Sequence, residues 1–62
     1  MEPPTVREVI RRLVLEGFIC TRVVGDHRRF AKGNLRVTVA GKPSEHMKPK
    51  TWKSVQKQAG WM

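Results

Sequence analysis

Val6, Val9, Ile10, Leu13 and Val14 recur at the i, i+3, i+4, i+7, i+8 spacing of one helical face, directly behind a Thr5–Glu8 pair spaced as a capping box. That stripe constrains the fold more than any other feature of the chain. An isolated helix of this length is marginal in water, so its apolar face must be covered by whatever the remaining residues build. Gly17 supplies the residue type that stops a helix in a left-handed conformation, and the spacing predicts a first helix over about residues 5–16.

The cover is predicted to be a sheet. Residues 18–24 (Phe18 to Val24) are rich in aromatic and β-branched types and read as a strand. Gly25-Asp26 is a turn signal, after which a second strand occupies about residues 27–31. Lys32-Gly33-Asn34 marks another turn, and in residues 35–40 Leu35, Val37 and Val39 alternate with Arg36 and Thr38. Three consecutive antiparallel strands make a meander with one wet face. Residues 41–48 form a polar connection, and Pro49 suits the first turn of a second helix that runs to about Ala59, before Gly60. Trp52, Val55 and Ala59 share one face of that helix; Lys50, Lys53 and Lys57 share the opposite one. The expectation is one α+β domain over residues 1–62, in the order α-β-β-β-α, with both helices on one face of a three-stranded antiparallel sheet.

Trp52 and Trp61 read as core rather than as stacking platforms, because Trp52 lies on the apolar face and Trp61 directly follows the helix stop. Cys20 is the only cysteine, which rules out an internal disulfide and suits a reducing cytosol. Its apolar neighbours Phe18 and Ile19 mark it as a small core residue. No signal peptide and no apolar stretch of spanning length is present, so a soluble cytoplasmic protein is expected.

The charge is one-sided. Thirteen basic residues face five acidic ones, a net of +8. Up to Asp26 the charges cancel: Arg7, Arg11, Arg12 and Arg22 against Glu2, Glu8, Glu16 and Asp26. From His27 onward, Arg28, Arg29, Lys32, Arg36, Lys42, Lys48, Lys50, Lys53 and Lys57 stand against Glu45 alone. A polyanion is the expected partner, by counterion release and steering, with nucleic acid ahead of an acidic protein surface. Three lysines on the outside of a helix are also what a solvated face looks like; the regional imbalance favours a surface facing phosphates.

Few residues offer chemistry. Cys20, His27 and His46 lack zinc-type spacing, no triad pattern is present, and no glycine loop cradles a nucleotide. What remains is His27 in Gly25-Asp26-His27-Arg28-Arg29-Phe30. A histidine moves protons near neutral pH, and guanidinium groups beside it hold a phosphate while it does so. Cleavage of an RNA phosphodiester needs a base for the 2′-hydroxyl proton, stabilisation of the crowded phosphate and a proton for the leaving oxygen. It requires no metal or other cofactor. A histidine that only hydrogen-bonds a turn would look the same in sequence.

These residues carry a resemblance that runs from about Val6 to Gly60. Glu16-Gly17-Phe18, Gly25-Asp26-His27-Arg28-Arg29-Phe30, Val37-Thr38-Val39 and Thr51-Trp52-Lys53-Ser54-Val55-Gln56-Lys57-Gln58-Ala59-Gly60 match, in order and spacing, the HicA family of mRNA-cleaving toxins from bacterial toxin–antitoxin pairs. The resemblance implies a fold like that of double-stranded-RNA-binding domains and metal-independent, ribosome-independent cleavage of mRNA. It also implies neutralisation by a HicB-like antitoxin, in whose complex the toxin could be oligomeric. The family's catalytic histidine corresponds to His27. Arg28, Arg29, Lys50, Lys53 and Lys57 are RNA-binding candidates on charge and spacing alone.

One position departs from the family pattern. The motif is most often Gly-Ser-His, and Asp26 stands in the serine's place. Turned back on His27 it would favour the imidazolium; facing the substrate it would repel phosphate. His46, in the polar loop outside the motif, reads as a solvated histidine and is left out of the site. Two further readings compete with the toxin: a non-catalytic RNA-binding module of the same fold, and a domain that docks on an acidic protein.

Overall fold

The computed structural model describes residues 2–62. In chain order it holds helix α1 (Val6–Leu15), strands β1 (Ile19–Val24), β2 (His27–Lys32) and β3 (Leu35–Ala40), and helix α2 (Pro49–Gln58). The strands form one antiparallel sheet in the order β1-β2-β3. The α-β-β-β-α order and the α+β class are as the sequence predicts.

Helix α1 begins at the capping box. The Thr5 hydroxyl accepts from the Glu8 amide at 3.2 Å, and a Glu8 carboxylate oxygen accepts from the Thr5 amide at 3.2 Å. The helix ends at Glu16, followed by Gly17 with φ +97°. Val6, Val9 and Leu13 are buried, and Ile10 packs against them half-buried. Val14 does not follow the stripe: it is 56 % exposed. A sheet of three strands is too narrow to cover the whole apolar arc of the helix, and so small a domain leaves part of it in water.

Pleating sorts the sheet residues onto two faces. Phe30 pairs with Val37, and Arg28 with Val39, on the side that meets the helices. Phe30, Val37 and Val39 are buried there with Phe18, Met47, Val55 and Ala59. Trp52 and Trp61 pack against this cluster partly buried, as expected. Helix α2 lies along β3, where the Gln58 side-chain oxygen accepts from the Thr38 amide at 3.0 Å and covers part of that sheet edge.

Strand β1 contributes nothing to the core; all six of its residues are exposed. Cys20 is therefore a correction. Its register opposite Phe30 puts it on the helix side, but both helices pack over β3 rather than β1, and the thiol is exposed. His46 is exposed, as the loop's polarity predicts, and is also held. Its Nδ1–H donates to the Pro3 carbonyl at 2.7 Å, and Nε2 lies 3.4 Å from Glu2. The same loop is laced to the N-terminal lead-in by Val6 N–H to Glu45 and Met47 N–H to Pro4, each 2.9 Å. Among the described residues no helix is long and apolar enough to cross a membrane.

Candidate nucleic-acid interface on the open face of the sheet

The position of His27 follows from the turn before it. Gly25, with φ +57°, comes first in a two-residue turn, a conformation glycine adopts without penalty and one that suits a tight hairpin. The turn pairs Val24 with His27 and makes His27 the first residue of β2. The Asp26 carbonyl accepts from the Gly41 amide at 3.1 Å, tying the turn to the end of β3. On its other flank His27 faces Ala40, a side chain too small to cover the imidazole.

His27 shares the helix-free face with Arg29, two residues along the same strand. Arg22 stands opposite Arg29 on β1, and Thr38 opposite it on β3. Arg22, Val24, His27, Arg29 and Thr38 line one open concavity. No ion pair joins Arg22 or Arg29 to a carboxylate among the described residues. Around the end of the sheet a second concavity is lined by Asp26, His27, Gly41, Lys48 and Thr51, among others. His27 borders both. It is exposed, so its ring is open to solvent.

The basic residues proposed from sequence do not converge on His27. Arg28 is half-buried on the helix side, and its Nη1 is buried without a hydrogen-bond partner. Lys50, Lys53 and Lys57 are exposed on α2, turned away from buried Val55. They lie on the outer surface of the helix layer, across the sheet from the open face. Of that set only Arg29 lies beside His27. Asp26 borders the end concavity, and no ion pair links its carboxylate to His27.

Sequence reasoning did not bring Arg22 and Thr38 to the face of His27, where both line the concavity. The signal for Thr38 was the alternation that put it on the wet face. For Arg22 it was the two-residue turn, since counting back from the 24–27 pair puts residue 22 opposite 29. Among the described residues no group of three or more His, Cys, Asp or Glu side chains comes together as a metal site would require.

A family model described as the HicA toxin of bacterial toxin–antitoxin systems matches residues 6–61. No curated protein matches the chain.

Proposed function

The chain belongs to the HicA toxin family of bacterial toxin–antitoxin systems, and from that premise we propose that it is an endoribonuclease that cleaves mRNA with His27 as its general acid/base. The observation that carries this reading is the open-face concavity, where an exposed imidazole sits beside two unpaired arginines. His27 takes the proton of a 2′-hydroxyl as that oxygen bonds to phosphorus. The bond from phosphorus to the 5′ oxygen breaks, and the leaving oxygen receives the proton back from the His27 imidazolium through the water that reaches this exposed site. Arg29 holds the phosphate and stabilises the charge that builds on it. The chemistry is metal-independent. Lys50, Lys53 and Lys57 add to the field that draws RNA to the molecule. Arg28, turned toward the helices, takes no part in holding the phosphate. A HicB-like antitoxin, acidic where it meets the open face, neutralises the toxin by covering that surface in the cytoplasm.

The test is incubation of purified protein with a long single-stranded transcript in excess EDTA, beside a His27→Ala variant shown by circular dichroism to be folded. Cleavage by the parent and not by the variant is expected. Equal cleavage by both would remove His27 from the chemistry. The carboxylate of Asp26, at the border of the end concavity, favours a second reading in which the fold binds RNA without cutting it. Retarded but intact RNA in both lanes would select that reading.

A further inference from the structure

Strict alternation from buried Phe18 would turn Cys20, Arg22 and Val24 toward the helices. It does not happen, because β1 carries a bulge between Cys20 and Arg22. Thr21 is the extra residue, and its hydroxyl donates to the Arg29 carbonyl at 3.4 Å. Beyond the bulge the faces exchange: Arg22 stands opposite Arg29, and Val24 opposite His27. A local irregularity thus delivers a second arginine to the face of the histidine.

Two arginines directly opposed on neighbouring strands repel each other. Among the described residues no carboxylate pairs with either arginine. Of the five carboxylates, Glu2 faces His46, Glu8 caps α1, Glu16 holds Arg12 and Trp61, and Glu45 accepts from the Lys42 amide. Asp26 sits in the turn with no ion pair among the described residues. A bound anion between the two guanidinium groups would relieve the repulsion. Guanidinium forks match a phosphate better than they match each other, and the Thr38 hydroxyl on the other flank of Arg29 is one more donor. Phe18 and Phe30 are buried, and Trp52 and Trp61 pack on the core, so none of the chain's phenylalanine or tryptophan rings lies on this face to stack a base.

We infer that Arg22 and Arg29 form a clamp for one phosphodiester of single-stranded RNA, gripping it beside His27 by charge and not by base identity. The strand crosses the helix-free face of the sheet, and the α2 lysines steer it without touching it. The clamp rests on the ribonuclease reading for its ligand.

The experiment measures binding of a 2′-O-methyl RNA oligonucleotide, which lacks the attacking hydroxyl, by fluorescence anisotropy and stopped flow over a range of salt. Arg22→Thr weakens binding about tenfold or more, as loss of a charged hydrogen-bonded contact does. It also lowers the salt slope by about 0.7, one contact on a single strand. Its thermal midpoint stays at or above the parent's, because repulsion is relieved and threonine suits a strand. The triple variant Lys50→Ala/Lys53→Ala/Lys57→Ala slows association and keeps the parent's dissociation rate. Parental affinity in Arg22→Thr overturns the clamp, as does weakened binding accompanied by a lower thermal midpoint. Faster dissociation in the triple lysine variant than in Arg22→Thr overturns it too. If the parent leaves a transcript uncut while binding still depends on Arg22, the ribonuclease reading fails and the clamp stands.

Discussion

Arg28 and Arg29 are neighbours in sequence and lie on opposite faces of one strand, which is why a run of like residues is a poor guide to a site. Pleating sends Arg29 to the open face with His27 and Arg28 toward the helices, where its Nη1 is buried without a partner. A buried donor left unsatisfied is unfavourable by roughly 1–3 kcal/mol. Arg28→Met keeps the aliphatic stem and removes the orphan. Its expected outcome is unfolding stability equal to the parent's or up to about 1 kcal/mol higher, measured by urea denaturation, with RNA cleavage retained. A loss of cleavage matching that of Arg29→Met would return Arg28 to the phosphate. That His27 and Arg29 share a face was legible in the sequence, because strand alternation preserves the i, i+2 relation. Cys20 was misjudged for a different reason. Its neighbours are apolar, but burial depends on what covers the strand, and nothing in a local window says that both helices favour β3.

At the scale of the element, α1 was the most readable part of the chain. Its capping box and its stripe both depend on residues three and four apart, so local hydrogen bonds and periodicity report on the same segment. Strand β1 was the least readable, because its faces exchange at a bulge that no residue type announces. That irregularity makes a sharp prediction. Removing one residue from β1 abolishes the bulge, and the choice of residue decides which side chain meets Arg29. Deleting Thr21 joins Cys20, still opposite Phe30, to Arg22, still opposite Arg29, in an unbroken ladder. Deleting Val23 also gives an unbroken ladder, but Thr21 then faces Arg29 and Arg22 turns toward the helices. Both variants are expected to fold, by circular dichroism. RNA binding is expected to survive deletion of Thr21 and to fall about tenfold on deletion of Val23. Equal affinities would mean that the bulge does not serve the open face.

The whole molecule divides its charges between its two sides. On the helix side, Glu16 joins the chain's ends of structure: its carboxylate accepts from Trp61 Nε1 at 2.8 Å and from Arg12 Nε at 2.9 Å. The Arg12 guanidinium in turn lies 3.9 Å over the Trp61 ring, and Trp61 tilts against Trp52 with centroids 6.0 Å apart. The clasp ties the residues after α2 to the end of α1. The i,i+4 spacing of Arg12 and Glu16 is local, but the Glu16–Trp61 contact was not legible in sequence, since residues 16 and 61 meet only once the sheet lies under both helices. The Trp61 hydrogen bond, and then the Arg12 contact, hold the Glu16 carboxyl below the usual carboxylate range, and Thr5 does the same for Glu8. A carboxyl depressed in the folded state stabilises the fold above its unfolded pKa, about 4.3 for glutamate, and that contribution is lost as pH falls through the lower folded value. Thermal midpoints measured from pH 7 downward are therefore expected to hold and then fall below about pH 4. Glu16→Gln should lower the midpoint at pH 7 and flatten that acid limb. Because the clasp lies across the sheet from His27, the same variant should still cleave RNA at the parent's rate at neutral pH and a temperature where both are folded. A flattened limb with unchanged cleavage would show that the helix layer keeps the protein folded while the bare sheet face, left with cations alone, meets the polyanion.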